Sequence, residues 1–168
     1  DAIETTLRSP VVVAVALAVG AIGLMAAEWL GTKRRGEETI GYGEALAIGV
    51  AQASALVPGI SRSGATLTVA MLIGLRREQA ARFVFLLSLP AIVAAALKES
   101  MDLLAAGVDG LPYRLFAVGL VVSAVVGYVT VKYFIRYLAG HTLHAFAAYR
   151  LVLAAVTVAW LVGGGAGQ

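Results

Sequence analysis

The sequence predicts an all-α integral membrane protein with about four spanning helices and one re-entrant helix-loop-helix hairpin. Hydrophobic residues make up 60% of the 168 residues and charged residues only 14%, against roughly 45 to 50% and 25% in soluble domains. The apolar residues fall into long runs bounded by short charged clusters. Two shorter runs flank a polar stretch, residues 58–66, and predict the hairpin. We treat residues 1–168 as a single membrane domain with the hairpin at residues 42–75.

Charge and cysteine content narrow the possible functions. The net charge of +3 is modest, and the basic residues form short clusters that fit loops at a membrane surface better than a nucleic-acid interface. No nucleic-acid partner is expected. The absence of cysteine excludes disulfides, thiolate metal sites and cysteine nucleophiles. Because the sequence opens on Asp1 rather than methionine, we expect it to be part of a longer chain.

Four apolar runs are long enough to cross a bilayer of about 30 Å. They are Val11–Leu30, Phe83–Leu97, Leu115–Val131 with an extension to Tyr133, and Leu143–Val162. The second of these is predicted to begin near Gln79, to kink at Pro90 and to end at Lys98 and Glu99. The intervening loops are predicted from their charged, glycine and proline residues, which are Lys33, Arg34, Arg35 and Gly36, then Asp102, Gly107, Asp109, Gly110 and Pro112, and then Arg136, Gly140, His141 and His144.

The runs Glu44–Val57 and Ala65–Leu75 are too short to span a bilayer. Apolar segments of about 10 to 14 residues are typical of re-entrant or interfacial structure, and the proline and glycine between them break the helix where a hairpin would turn. One kinked spanning helix is the alternative. A re-entrant hairpin would place all the basic loops on one face, which the positive-inside rule assigns to the cytoplasm, with the carboxyl end outside.

The stretch Pro58-Gly-Ile-Ser-Arg-Ser-Gly-Ala-Thr66 carries the chemistry. Gly59 and Gly64 allow a close backbone approach to a ligand, and Ser61 or Ser63 can cap the following helix. Free amides at a helix start attract anions. Arg62 adds a permanent charge that can hold two phosphate oxygens, and Thr66 follows one turn later on the same predicted face. These residues predict an anion-binding loop.

Arg62, Gln52 and Arg150, three polar residues in or near apolar runs, also have purely structural interpretations. Arg62 could be an ordinary interfacial arginine, although an arginine without a partner at bilayer depth costs at least roughly 2.5 to 3.5 kcal/mol. Gln52, on the same helical stripe as Glu44 and Ile48, could face the same cavity or bond to a neighbouring helix. Arg150 is predicted to extend toward the membrane surface.

The sequence lacks the residues that other phosphate-binding sites use. There is no P-loop motif, and no pair of the three aspartates is placed to hold magnesium. His141 and His144 are interpreted as surface residues, because two histidines without a third ligand are weak evidence for a metal. No metal ligand is therefore predicted within this sequence.

Several motifs resemble the bacterial undecaprenyl-pyrophosphate phosphatases, the bacitracin-resistance family. The resemblance covers about forty residues, which are Gly49-Val-Ala-Gln52, Leu56-Val-Pro-Gly-Ile-Ser-Arg-Ser-Gly-Ala-Thr66, Gly74-Leu75, Ala80-Ala-Arg-Phe83 and Leu86-Leu-Ser-Leu-Pro90. It implies a hydrolase of the bacterial plasma membrane that converts undecaprenyl diphosphate to undecaprenyl phosphate. Such an enzyme recycles the lipid carrier for peptidoglycan, with its active site facing outward.

The resemblance also implies roles for individual residues. Ser61 and Arg62 would form the catalytic clamp, and Thr66, Gly59, Ser63, Gly64 and Gln52 would bind the diphosphate. The family fold has two inverted repeats, each with a re-entrant hairpin, and this sequence resembles the second repeat. The family's glutamate-rich motif, serine-rich segment and histidine are not present here, so a divalent cation, magnesium or calcium, would take its ligands from elsewhere. An amino-terminal half or a second copy would complete the site.

The mechanism implied is electrostatic, with Arg62 and the loop amides neutralising charge on the diphosphate while another group directs attack on the terminal phosphorus. Ser61 as nucleophile is the alternative. A lipid-phosphate transporter or flippase, which would also use broken helices and a midplane site, and a non-catalytic membrane fragment are the competing functions.

Overall fold

The computed structural model describes residues 9–107 and 112–165, which fold into α-helices joined by short turns. The α-helices are α1 (Pro10–Leu30), α2 (Tyr42–Ala53), α3 (Arg62–Leu72), α4 (Arg77–Ala106), α5 (Tyr113–Gly140) and α6 (His144–Trp160). Short 3-10 turns cover Glu37–Thr39 and Ser54–Leu56, and one π-helical turn covers Leu161–Gly165. Among the described residues no β-strand forms, which confirms the all-α prediction.

Four helices are long and apolar enough to cross a membrane, as predicted. Their apolar segments are Pro10–Leu30, Arg77–Ala105, Tyr113–Gly140 and His144–Gly163. α2 and α3 have 12 and 11 residues, so at about 1.5 Å per residue each extends only about 17 to 18 Å. The four long helices therefore define a multi-pass membrane protein, and the two short ones cannot cross a bilayer individually.

Two predicted helix ends are wrong. α4 continues past Lys98 and Glu99 to Ala106, and Asp102 lies within this helix rather than in a loop. α5 likewise includes Arg136 and ends at Gly140. Charged residues mark where a chain can meet water, but a helix keeps its internal hydrogen bonds in water and need not end there. The predicted loop residues Asp109 and Gly110 lie outside the described residues.

α1 lies at the centre of the packing. It contacts both α3 and α6, while α2 packs on α3, α3 on α4, and α4 on α5. Small residues take part in these contacts, since Ala21, Ala27, Ala70, Ala80 and Ala81 are all fully buried. Without a hydrophobic driving force in lipid, helices associate through close backbone approach between small residues. In contrast, α5 buries none of its most apolar segment.

Glu28 joins three helices at one end of the bundle, which we call the basal end. Its carboxylate accepts hydrogen bonds from Arg77 Nε at 2.8 Å and from the Leu143 amide at 2.8 Å. The Glu28 side chain is 1% exposed. The end of α1 and the starts of α4 and α6 are thereby held together. Lys33, Arg76 and Arg136, the last of these near the end of α5, lie at this same end.

The segment between α1 and α4 begins and ends at the same place. The amides of Arg34 and Arg35 donate to the Gly74 carbonyl at 3.0 and 2.9 Å, and the Arg76 amide donates to the Arg35 carbonyl at 3.0 Å. Residues Arg35 and Leu75 form a parallel β-bridge. α2 and α3 therefore form a helix-loop-helix hairpin that leaves the basal end and returns to it.

Glu44 at the start of α2 ties the hairpin to Arg35. Arg35 Nη1 and Nη2 donate to the two carboxylate oxygens at 2.7 and 2.9 Å, and the Gly41 amide donates to Oε2 at 3.0 Å. The hydrogen bonds from Arg35, followed by that from Gly41, lower the pKa of Glu44 from its ordinary value of 4.5 to about 2.

The stabilisation from Glu44 should therefore depend on pH. A carboxylate with a lowered folded-state pKa stabilises the fold above its unfolded pKa and loses that effect as pH falls through the folded value. We expect the melting temperatures of the natural protein and the Glu44→Gln variant to differ by a constant amount above about pH 4.5 and to converge toward pH 2. A difference that persists unchanged at pH 2 would contradict this assignment.

Candidate anion-binding site

The loop between α2 and α3 turns at Pro58 and Gly59. The Ile60 amide donates to the Val57 carbonyl at 3.1 Å, and Gly59 has φ 92°. Proline at the second position and a glycine with positive φ at the third are the features of a type II turn. This turn ends the first half of the hairpin, which contains α2, and sets the direction in which α3 begins.

Gly59 also contacts α1 more closely than any other residue type would permit. A Cβ atom built on Gly59 would lie 2.7 Å from the Val13 carbonyl oxygen and 2.9 Å from Val13 Cα. Both are backbone atoms of a packed helix, which cannot move aside as a flexible side chain could. The turn is therefore seated directly on α1.

Replacing Gly59 by alanine should destabilise the protein, because the variant combines this clash with a positive φ. We expect a loss of at least about 1 to 2 kcal/mol from the backbone conformation alone, measured as a lower unfolding free energy in detergent. Gly43→Ala in α2, where no atom lies within 4 Å of the added Cβ, is the matched control and should be neutral or stabilising. Equal stability of both variants would refute the tight seating of the turn.

Ser61 caps α3. Its Oγ accepts a hydrogen bond from the Gly64 amide at 3.1 Å, and Ser63 Oγ lies 3.3 Å from it. The Ala65 amide is satisfied by the Ser61 carbonyl. In the part of the chain that the structure describes, the amides of Arg62 and Ser63 have no acceptor. The N-terminus of α3 thus presents free N–H groups and the positive end of a helix dipole, which together bind anions.

Two cavities flank the first turn of α3. The Arg150 cavity, of about 190 Å³, is lined by Ser61, Ser63, Gly64 and Arg150 together with apolar side chains of α1, α3, α5 and α6. The Arg62 cavity, of about 530 Å³, is lined by Gln52 and Arg62 together with Gly49, Ala53, Ala55, Leu56 and Ala91. Five of the predicted site residues therefore line a cavity: Ser61, Ser63 and Gly64 line the first, and Arg62 and Gln52 line the second.

Arg62 and Gln52 line the larger cavity together, which is one of the two placements left open for Gln52 by the sequence. Arg62 is exposed and forms no ion pair with any described residue. Gln52 is half-buried, and its Oε1 has no hydrogen-bond partner in residues 9–107 and 112–165. The alternative, a glutamine bonded to a neighbouring helix, finds no support in these contacts. A permanent cation and an unsatisfied amide thus line one cavity.

Thr66 is placed differently from the prediction. Its side chain is fully buried, and its hydroxyl donates to the Arg62 carbonyl at 2.7 Å. It lines neither of the two cavities. The Thr66 side chain is therefore packed inside the protein and hydrogen-bonded to the backbone of α3. Arg62, one turn earlier, is exposed.

Arg150 does not extend to the surface, and the prediction for it was wrong. The residue is only 8% exposed, and its Nη2 donates to the carbonyls of Ala16 and Gly59 at 3.4 and 3.2 Å. The physical reason is Gly20, whose missing side chain leaves the space that the guanidinium occupies. A glycine in mid-span and an arginine in another span were the available signals, but their pairing depends on tertiary contact.

The histidines are surface residues, as predicted. Both are exposed; the ring of His141 stacks on Tyr137 with centroids 4.2 Å apart, and His144 Nδ1 lies 2.9 Å from Thr142 Oγ1. Among the described residues, no three histidine, aspartate or glutamate side chains are grouped closely enough to hold a metal ion. These residues do not by themselves fit a divalent cation.

The fold and the candidate site define a class: a helical multi-pass membrane protein in which arginine side chains flank a helix N-terminus with free amides. The chain belongs to the bacitracin resistance protein BacA family, whose model matches residues 1–156.

Individual relatives support this membership. The chain is 49% identical over 162 residues to an undecaprenyl-diphosphatase of Rubrobacter xylanophilus, covering 96% of this chain and 60% of that protein. It is 46% identical to one of Chlorobium luteolum, covering 97% of this chain, and 42% identical to one of Alcanivorax borkumensis, covering 96%; each match spans 60% of the relative. The chain thus spans 60% of the length of these curated relatives.

Proposed function

We propose that this chain carries the diphosphate-binding part of an undecaprenyl-diphosphate phosphatase. Such an enzyme hydrolyses undecaprenyl diphosphate to undecaprenyl phosphate and inorganic phosphate, the recycling step for the lipid carrier of cell-wall polymers. The observation that carries the proposal is Arg62 beside the free amides of α3, within a family whose relatives bear the name undecaprenyl-diphosphatase.

The proposed reaction is the attack of water on the terminal phosphorus of the lipid diphosphate. A P–O bond forms to the attacking oxygen, and the bond between the terminal phosphorus and the bridging oxygen breaks. The leaving group is the lipid monophosphate. Negative charge is spread over the phosphoryl oxygens in the transition state, and Arg62 with the amides of Arg62 and Ser63 would stabilise that charge.

The group that activates the water would come from elsewhere. Neither cavity is lined by a carboxylate or a histidine of the described residues, so the side chains at this site act by binding and not as a general base. We propose that an additional segment of the natural protein, or a second copy of the chain, supplies that group. Any magnesium or calcium ion that the reaction requires would take its ligands from that source.

Ser61 is better suited to positioning than to nucleophilic attack. An activated serine needs a general base within hydrogen-bond reach, whereas Ser61 Oγ contacts the Gly64 amide and Ser63 Oγ. We propose that Ser61 and Ser63 shape the start of α3 and donate hydrogen bonds to the phosphoryl oxygens. Gly59, Gly64 and Gln52 would support the same binding, and Thr66 would act through the backbone of α3.

The orientation proposed for the site follows from the distribution of charge. The hairpin of α2 and α3 returns to the basal end, where Lys33, Arg35, Arg76 and Arg77 are grouped. We propose that the hairpin is re-entrant, that the basal end is cytoplasmic, and that the loop at residues 58–66 opens toward the outer face. A lipid diphosphate on the outer side of the plasma membrane would then reach Arg62.

The test is an assay of phosphate release. The natural protein, reconstituted in vesicles, should release inorganic phosphate from a polyprenyl diphosphate, and no phosphate from a polyprenyl monophosphate. Translocation of the lipid across the vesicle without phosphate release would reject the phosphatase in favour of the transporter. Adding EDTA, then restoring magnesium or calcium separately, would show whether a divalent cation takes part.

A further inference from the structure

The Arg150 guanidinium is buried beside the middle of α1. Its guanidinium fills the space beside Gly20, which is the eleventh of the 21 residues of α1. Half of the helix length, about 15 Å, separates this point from either end of α1. Ionised groups at such depth are rare and mark binding sites or ion pathways, because they need a partner there.

No anionic partner for Arg150 exists in the part of the chain that the structure describes. Its two hydrogen bonds are to neutral carbonyl oxygens, and both are long, at 3.2 and 3.4 Å. Its Nε is buried and has no acceptor. A residue needed only to connect α6 with α1 and the Gly59 turn would not have to carry a permanent charge. The unused donor capacity therefore points to a missing anion.

The Arg150 side chain lies close to other groups that could contact the same anion. Nη1 is 3.4 Å from the position of a Cβ built on Gly64, in the first turn of α3. Ser61, Ser63 and Arg150 line the same cavity of about 190 Å³. At about 30 Å³ per water molecule, this is room for several waters, and so for one phosphoryl group.

We infer that the Arg150 cavity binds a phosphoryl group, with Arg150 as its fixed counter-charge and the hydroxyls of Ser61 and Ser63 as additional donors. The identity of the phosphoryl group as part of a lipid diphosphate rests on the proposed function. Arg150 thereby becomes a second anion-binding arginine, on the opposite side of the α3 N-terminus from Arg62. Inorganic phosphate released by hydrolysis offers the same chemistry.

The experiment uses two variants of the natural protein, each of which should impair anion binding by Arg150 in a different way. Arg150→Lys keeps a charge but loses the planar pair of donors. Gly20→Ala keeps Arg150 and places a methyl group where the guanidinium lies. Gly23→Ala, one turn away on α1, is the matched control, because its added Cβ meets only Thr68 at 3.4 Å and beyond.

The measurements are the dissociation constants of inorganic pyrophosphate and inorganic phosphate, obtained by calorimetry in detergent, and the competition of each with a polyprenyl diphosphate. Losing a charge-assisted hydrogen bond typically weakens binding by about 10- to 100-fold, and we expect this for pyrophosphate with Arg150→Lys. Gly20→Ala should weaken binding in the same direction, while Gly23→Ala should not. Stronger competition by pyrophosphate than by phosphate would favour the lipid headgroup over the free product.

Two results would overturn the inference. One is unchanged pyrophosphate and phosphate affinity in Gly20→Ala and Arg150→Lys, with only the melting temperature lowered, since a purely structural arginine would give that pattern. The other is no binding of either anion by the natural protein. Failure of the proposed function is separate: binding that depends on Arg150, with no phosphate release from a polyprenyl diphosphate, would reject the phosphatase and retain the anion site.

Discussion

Replacing Arg62 with alanine is expected to lower kcat/KM for phosphate release from a polyprenyl diphosphate by about 100- to 1,000-fold, the usual effect of removing one preorganised donor to transition-state charge. Arg62 is exposed to its cavity and forms no ion pair with a described residue. Its removal should therefore affect ligand binding more than folding. Phosphate release by the reconstituted natural protein, with melting temperature recorded alongside, is the measurement.

Arg136→Ala provides the control for Arg62. Arg136 is also an exposed helical arginine, but it lies near the basal end of α5, away from both cavities. Its loss should leave turnover unchanged. Arg62→Lys should recover only part of the rate, because an ammonium group cannot bind two phosphoryl oxygens with a planar fork. Full turnover in Arg62→Ala would remove Arg62 from the site.

The largest stability effect is expected at Glu28. Replacing it with glutamine should lower the free energy of unfolding by about 3 kcal/mol, the lower part of the range for breaking a buried ion pair. The lower part applies because the Arg77 side chain remains 26% exposed and can regain some water. The variant also weakens the acceptor for the Leu143 amide. Unfolding in mixed detergent, monitored by circular dichroism, would measure the loss.

Two further variants isolate the contribution of this ion pair. Asp102→Asn breaks the exposed pair with Lys98, whose charged atoms are 3.9 Å apart, and should have no measurable effect. A double variant, Glu28→Met with Arg77→Met, removes both charges and should be more stable than Glu28→Gln, since no charge is left unpaired. If Asp102→Asn lowers the free energy of unfolding as much as Glu28→Gln does, the buried Glu28 carboxylate stabilises the fold no more than an exposed carboxylate.

The sequence predicted the helical spans well because hydropathy reports which residues can contact lipid. It failed at the ends of α4 and α5, where charged residues beyond the apolar segment continue the helix to Ala106 and Gly140. The boundary of an apolar run and the boundary of a helix are different properties. The first is set by transfer from water, and the second by capping and backbone hydrogen bonds.

The site was predictable only where it is local in sequence. The turn at Pro58 and Gly59 and the serine cap of α3 follow from neighbouring residues, and both are present. The burial of Arg150 was not predictable, because it depends on α6 packing against Gly20 of α1. Similarly, the outward direction of Arg62 and the burial of Thr66 depend on which face of α3 meets α1 and α4.

The bridge between Arg35 and Leu75 also bears on how crossings of the membrane are counted. The proposed re-entrant hairpin would add no net crossing, so the four candidate spans of the described residues would give an even number. Pro10 and Trp160 would then lie on the same side. A glycosylation or cysteine-labelling tag before α1 and another after α6 would report one compartment, and a tag in the loop that follows α1 would report the opposite one.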